Sequence, residues 1–92
     1  MRKILILGKM DNDTDFSTQE EKIRKDGDIP INQIKVLYAL PEEINTSDFI
    51  VICIELARIS DAVLLLPGWE KDLLCRLVRK NALELDKDVM EG

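Results

Sequence analysis

The feature that most constrains the fold is the apolar run Ala62–Leu66, which stops abruptly at Pro67-Gly68. A short run without polar residues, bounded by chain-breaking residues, is typical of a strand that is buried on both faces. Such strands occur in parallel sheets, which helices cover on both sides. The next residues, Gly68, Trp69 and Glu70, then lie at the carboxyl end of a parallel strand, where open α/β sheets bind ligands.

Two further segments predict neighbouring strands. Lys3–Leu7 is apolar up to Gly8 and predicts a first strand that is central and buried. Asp28–Asn32 predicts a second strand at the edge of the sheet, because Pro30 has no N–H to donate to a neighbour. The sequence therefore predicts a three-layer α/β/α sandwich, flavodoxin-like or Rossmann-like, with a short parallel sheet of order 2-1-3 and a candidate fourth strand near Val89.

Size and charge exclude several classes of partner. A chain of 92 residues predicts one domain spanning residues 1–92, and 13 basic against 18 acidic residues give a net charge of −5. We expect no nucleic-acid partner, because phosphate binding requires a basic surface. No apolar run approaches the ~20 residues that span a bilayer, and no secretory signal is visible, so we expect no membrane partner. Cys53 and Cys75 form no Cys-x-x-Cys pair, which predicts reduced thiols and a cytoplasmic location.

The chain contains no histidine, which excludes Ser-His-Asp and Cys-His catalysis and every metal site built on imidazole. Asp11, Asp13 and Asp15 alternate as in a calcium loop, but the glycine and glutamate that such a loop requires are absent. We therefore predict neither a metal ion nor a cofactor. Any chemistry must come from carboxylates, hydroxyls, lysine or cysteine.

The first crossover predicts a short helix. Lys9–Asp15 is rich in Asp and Asn and predicts a loop. Ser17 and Glu20 have the spacing of a capping box, which predicts a helix from Ser17 to about Asp26 that ends before Gly27.

The middle of the chain leaves alternatives open. Gln33–Asn45 predicts a long connection with irregular structure. Ser47–Ser60 contains the β-branched run Phe49–Ile54, which favours a strand, but a parallel strand at Ala62 requires a crossover, which favours a helix. Such a helix is apolar nearly all round and must be covered on two sides. In so small a domain this predicts a homo-oligomer, in the simplest case a dimer.

The clearest helix is Glu70–Leu85. Its apolar stripe comprises Leu73, Leu74, Leu77, Val78, Ala82 and Leu85, and Arg76, Arg79 and Lys80 lie opposite. Glu70 and Asp72 fall in the first turn, where acidic residues interact favourably with the helix dipole; the alternative is that they act as an acid and a base on a sugar.

Several motifs occur in the order found in one group of proteins. They are Ile6-Leu7-Gly8-Lys9-Met10 after the first strand, Phe16, Ile23-Arg24 and Gly27 in the first helix, Asn32 after the second strand, Ser60-Asp61-Ala62-Val63, and Leu66–Glu70. In these motifs the chain resembles small, mostly uncharacterised bacterial and phage proteins related to nucleoside 2-deoxyribosyltransferases. The resemblance covers most of the chain, and Leu-Pro-Gly-Trp-Glu is its most specific part.

The chain also departs from that resemblance at positions of the transferase site. After Leu-Pro-Gly-Trp the family usually continues Glu-x-Ser-x-Gly-Ala-x-x-Glu, but here Asp72 replaces the serine, Leu74 the glycine and Val78 the last glutamate. Lys9 replaces a proline and Cys53 an aspartate. The resemblance implies that the last glutamate is the nucleophile that attacks the deoxyribose. Valine has no lone pair to attack with, so that route is closed.

The resemblance and the strand ends together predict one pocket, lined by Gly8, Met10, Asn32, Gly68, Trp69 and Glu70. The resemblance implies a nucleoside, a nucleotide or a related sugar as ligand. Glu70 and Asp72 are the candidate catalytic residues if any catalysis remains, while Trp69 either stacks on the ligand or anchors the loop. We therefore expect a deoxyribosyltransferase-like protein with a degenerate active site, or alternatively a non-catalytic nucleotide-binding or self-assembling protein.

Overall fold

A computed structural model describes all residues 1–92. The elements in chain order are β1 (Lys3–Leu7), α1 (Asp13–Lys25), β2 (Ile29–Asn32), α2 (Gln33–Ala39), α3 (Thr46–Ile59), β3 (Ala62–Leu65), a short 3₁₀ turn (Trp69–Lys71), α4 (Leu73–Glu84) and β4 (Asp88–Glu91). All strand pairs are parallel, and the sheet has the order β2-β1-β3-β4. The predicted fold class and strand order are confirmed, and β4 is the fourth strand expected near Val89.

Alternate side chains of β1 and β3 enter two separate apolar cores. One core lies between the sheet and helices α3 and α4; it contains Leu5, Leu7, Phe49, Cys53, Ala57, Val63, Leu65, Leu74, Cys75, Val78 and Ala82. The other lies on the side of α1; it contains Ile4, Ile6, Phe16, Ile23, Ile34, Ala62, Leu64 and Leu66. Both faces of the central strands are therefore covered, which explains why their sequences are almost continuously apolar.

The edge position of β2 is confirmed. Only β1 pairs with it, and Pro30 lies opposite Ile4 in that register. The predicted end of α1 is also confirmed, since the helix ends at Lys25 and Gly27 follows with a positive φ of 85°.

The predicted start of α1 is wrong by one turn. The helix begins at Asp13, so the capping-box residues Ser17 and Glu20 lie inside it. Asp13 and Asp15 occupy its first turn, where carboxylates interact favourably with the helix dipole. The earlier start makes Phe16 part of the helix, and this side chain is only 1% exposed in the core.

The predicted irregular connection at Gln33–Asn45 is partly wrong, because Gln33–Ala39 forms α2. The side-chain oxygen of Asn32 accepts a hydrogen bond from Ile34 N at 3.0 Å and caps this helix. The last residue of a strand thus also starts the following helix, and only Leu40–Asn45 lacks regular structure.

The segment that could have been a strand is the helix α3, as the crossover argument favours. Asn45 caps it by accepting from Asp48 N at 2.8 Å. Phe49 and Cys53 face the core, whereas Val51 on the outer surface is 59% exposed.

The fourth helix starts later than predicted and buries a different face. Asp72 caps a helix that begins at Leu73, and the preceding residues form the 3₁₀ turn. The buried residues of α4 are Leu74, Cys75, Val78 and Ala82, whereas the predicted stripe residues Leu73, Leu77 and Leu85 are exposed. The small side chains of Cys75 and Ala82 let the helix backbone approach the sheet, and the larger leucines are displaced to the outer surface.

Candidate functional site

A depression of about 290 Å³ lies at the carboxyl edge of the sheet. It is formed where the loop after β1 meets the starts of α3 and α4. Its lining residues are Met10, Leu37, Ile44, Asn45, Thr46, Phe49, Asp72 and Leu74. Most of this wall is apolar, and Asp72 is the only ionisable residue in it. Apolar walls with a few fixed polar groups are typical of small-molecule sites.

The carboxylate of Asp72 is held by two contacts. Oδ1 accepts a hydrogen bond from Leu74 N at 3.1 Å, and Oδ2 accepts one from the Cys75 thiol at 3.5 Å. The first contact caps α4, so the same hydrogen bond that starts the helix also orients the carboxylate at the edge of the depression. The remaining lone pairs can accept hydrogen bonds from ligand hydroxyls.

A buried polar side chain, Gln33, lies beneath this edge and was missed by the sequence analysis. It is 0% exposed; its Oε1 accepts from Gly8 N at 3.1 Å and its Nε2 contacts Cys53 Sγ at 3.8 Å. Gln33 thus ties the loop after β1 to α3 at the level of the depression. A signal was present, because this glutamine directly follows the end of an edge strand, and strand ends are where binding residues collect.

The two cysteines in this region are buried and unreactive. Burial raises the pKa of the Cys53 thiol to about 11. Burial, together with the neighbouring Asp72 carboxylate, raises the pKa of the Cys75 thiol well above its usual range. Neither side chain is a thiolate at neutral pH, so neither is a nucleophile.

The predicted residues Gly68, Trp69 and Glu70 lie elsewhere, around a separate depression of about 290 Å³ beside the end of β4. The Trp69 indole N–H donates to Glu91 at 3.1 Å, and the Arg79 guanidinium lies 4.9 Å from the ring centroid. These contacts are those of an anchor that ties the loop to β4 and α4. Gly68 has a positive φ of 91°, which the turn requires.

Asn32 lies in a third, shallower depression of about 230 Å³ beside α1 and α2. Its oxygen caps α2, and its Nδ2 donates to Glu20 at 3.2 Å. Glu20 in turn accepts from the Lys35 ammonium at 2.9 Å, and this contact lowers the pKa of its carboxyl. Both ends of the Asn32 amide therefore have partners within the protein.

Gly8 lines none of these depressions. It is buried, and a Cβ placed on it would lie 2.9 Å from Leu66 Cδ1 and 3.0 Å from Leu66 Cβ. The glycine therefore allows close packing of two loops and does not face a ligand.

The substitution Gly8→Ala tests this role. We expect it to lower the free energy of unfolding by about 1–3 kcal/mol, because Leu66 is 1% exposed and has no room to move away. Urea unfolding followed by circular dichroism measures the change. Unaltered stability together with weaker ligand binding would instead place Gly8 in the wall of a ligand site.

Val78 is part of the core and not of any depression. It is 0% exposed and packs in the same cluster as Leu5, Val63 and Cys75. Of the predicted site residues, Met10 and Asp72 share one depression, and Gly68, Trp69 and Glu70 share another. The structure thus does not bring Glu70 and Asp72 together as an acid–base pair within a single depression.

A larger groove of about 420 Å³ runs along the α1 side of the sheet. Arg2, Lys22, Asp26, Asp28 and Glu91 line it, so two cations and three carboxylates are interspersed along it. Arg2 is already paired with Asp88 at 2.8 Å. This groove therefore offers no concentrated charge of either sign to a ligand.

No group of three or more Cys, Asp or Glu side chains is placed to hold a metal ion. None of the helices combines the length and the apolar character needed to cross a lipid bilayer.

The fold and its carboxyl-edge depression define a small Rossmann-like domain with a four-stranded parallel sheet. The chain belongs to the family described as a domain of unknown function (DUF4406), whose family model matches residues 5–91. None of the curated proteins matches its sequence significantly.

Proposed function

We propose that this protein is a relative of nucleoside 2-deoxyribosyltransferases that binds a nucleoside without transferring its sugar. The binding site is the carboxyl-edge depression around Asp72. One observation carries the proposal: a single carboxylate, with lone pairs left for ligand hydroxyls, stands in a wall that is mostly apolar and has no other charge.

The residues that line the depression favour one of the ligands that the sequence suggested, a nucleoside. Met10, Phe49 and Leu74 offer apolar contact to a flat base, and Asp72 accepts hydrogen bonds from sugar hydroxyls. The wall contains no lysine or arginine, and Lys9 extends over Gly68 instead. A phosphate beside Asp72 would meet like charge, so the depression favours a nucleoside over a nucleotide.

The depression is small for a ligand of this size. Its volume of about 290 Å³ is at the lower limit of ordinary small-molecule pockets, so part of the ligand stays exposed to solvent. We therefore expect a dissociation constant of about 10 μM to 1 mM, in the range of weakly buried ligands.

Three observations argue against sugar transfer. The nucleophile position carries Val78, which faces the core. Both oxygens of Asp72 already accept hydrogen bonds from α4, which lowers their nucleophilicity. Glu70 opens onto a different depression and shares no ligand surface with Asp72.

Titration calorimetry with deoxyadenosine, thymidine and deoxyadenosine monophosphate tests the proposal. Asp72→Asn keeps an oxygen that can cap α4 but removes the charge. We expect it to weaken nucleoside binding about tenfold, since a charged hydrogen bond contributes about 1.5–3 kcal/mol and the neutral one that replaces it about 0.5–1.5 kcal/mol. The matched control Glu70→Gln, also in the loop before α4, leaves the affinity unchanged. Tighter binding of the nucleotide than the nucleoside, or sensitivity to Glu70→Gln instead of Asp72→Asn, would refute it.

A further inference from the structure

Helices α3 and α4 expose an apolar strip on the outer surface of the protein. Val51 on α3 is 59% exposed, and Leu73 and Leu77 on α4 are 57% and 40% exposed. Large apolar side chains that cluster on one surface commonly mark an interaction site.

The helix geometry places these residues side by side. Arg79 contacts Trp69, which bonds to Glu91 of β4, so that flank of α4 faces β4. At 3.6 residues per turn, Leu73 and Leu77 lie on the opposite side of the helix from Arg79 and therefore face α3. The strip thus follows the seam between the two helices.

The charges beside the strip differ between the helices. On α3 the exposed carboxylates Asp48 and Glu55 point outward, and on α4 the exposed cations Arg76 and Lys80 do so. Arg58 pairs with Glu55 at 2.7 Å on α3, so that half of the surface has only a small excess of negative charge, whereas the α4 half has an excess of positive charge. Such a surface is complementary to itself when it is turned by a twofold axis.

We propose that this surface, the α3/α4 face, binds a second copy of the chain. A twofold axis parallel to the helices stacks α3 of each copy on α4 of the other. The helices then run in the same direction, and both start at the carboxyl edge, where Thr46 and Leu74 line one depression. This dimer is independent of any ligand.

The positions of the charges along the helices agree with this arrangement. Asp48 is two residues from the start of α3 and Arg76 is three from the start of α4. Glu55 and Lys80 are nine and seven residues from the same starts. At 1.5 Å per residue, each carboxylate lies within about 3 Å of the height of its cation in the partner.

The size of the face sets the expected strength of the dimer. Helices of 14 and 12 residues are about 20 Å long and 10 Å wide each, which gives a footprint of about 400 Å². Two footprints amount to about 800 Å², in the range of weak and transient interfaces. We expect a reversible dimer with a dissociation constant of about 10–100 μM.

Sedimentation velocity of the 92-residue chain over about 1–500 μM tests the dimer directly. The wild type is expected to shift from monomer to dimer mass, and Val51→Lys to raise the dissociation constant at least tenfold. The matched control is Tyr38→Lys, on α2 beside α1 and 71% exposed, which lies outside the α3/α4 face and leaves dimerisation unchanged. Both positions are exposed, so circular dichroism of each variant confirms that it folds. The proposal is overturned if the wild type has monomer mass at every concentration. It is also overturned if both variants weaken dimerisation to the same extent.

A charge exchange tests which helices meet. The double variants Asp48→Lys/Glu55→Lys and Arg76→Glu/Lys80→Glu each place like charges opposite one another, so each alone is expected to be monomeric. In an equimolar mixture every facing pair is again of opposite sign, and dimer mass returns. If the wild type forms a dimer but the mixture of the two double variants does not, α3 does not stack on α4 in that dimer.

Discussion

Val78→Glu is expected to lower the free energy of unfolding by about 3–5 kcal/mol, because it places a carboxylate in the apolar core without a partner. The wild-type side chain is 0% exposed and packs with Leu5, Val63 and Leu65. A domain of 92 residues has a total stability of only about 5–14 kcal/mol, so the variant is at or near the limit of folding. The change introduces the glutamate that the resemblance to transferases places at this position. Urea unfolding monitored by circular dichroism measures it.

Two controls separate charge from size in this experiment. Val78→Met adds length without charge and is expected to cost about 1–3 kcal/mol. Leu83→Glu adds the same carboxylate to the same helix at a position 46% exposed, and is expected to change stability by no more than about 0.5 kcal/mol. A Val78→Glu protein with wild-type stability would mean that position 78 opens onto a cavity.

The second large effect is expected at Gln33. Gln33→Leu leaves the buried Gly8 N–H without its acceptor, which lies 3.1 Å away in the wild type. An unpaired buried donor costs about 1–3 kcal/mol, and we expect the free energy of unfolding to fall by that amount. The loop after β1 loses its tie to α3, so amide hydrogen exchange at Gly8 and Met10 is expected to accelerate.

A second variant, Gln33→Glu, tests how a buried ionisable group affects stability when the hydrogen-bond acceptor is kept. A carboxyl oxygen can still accept from Gly8 N, but burial disfavours the ionised form and raises its pKa in the folded state. The folded state then retains a proton that the unfolded state releases, so stability falls as pH rises above about 4.3. Urea unfolding at pH 4 and pH 7 measures this difference. Equal stability of this variant at both pH values would show that position 33 is hydrated.

The strands were predictable because they depend on strong, local signals. The apolar run at Ala62–Leu66 and the proline at Pro30 determine burial and edge position without reference to the rest of the chain. The helical state of Thr46–Ile59 followed from topology, since its residues alone are compatible with either structure.

The helix starts were harder to predict because several residues could cap each helix. Ser17 has the stronger local signal in α1, but burial of Phe16 requires the helix to begin at Asp13. In α4 the buried face contains Cys75 and Ala82 instead of most of the predicted leucines, because small side chains allow the helix to approach the sheet more closely. Both outcomes depend on tertiary packing, which overrides local preference.

The arrangement of the candidate site could not be predicted from spacing. Trp69 and Asp72 are three residues apart, yet the 3₁₀ turn between them directs one toward β4 and the other toward α3. Of the six residues predicted to line one pocket, Met10 alone lines the depression that contains Asp72. The direction of a side chain leaving a tight turn depends on backbone angles that the residue types do not specify.

The most direct test follows nucleoside binding and sugar transfer in the same sample. The protein is incubated with deoxyadenosine and free thymine; amide chemical shifts are recorded by NMR, and base exchange is followed by chromatography. We predict shifts at Met10, Thr46 and Leu74, around the carboxyl-edge depression, with no thymidine formed. Formation of thymidine, or shifts confined to Gly68 and Glu70, would contradict the account.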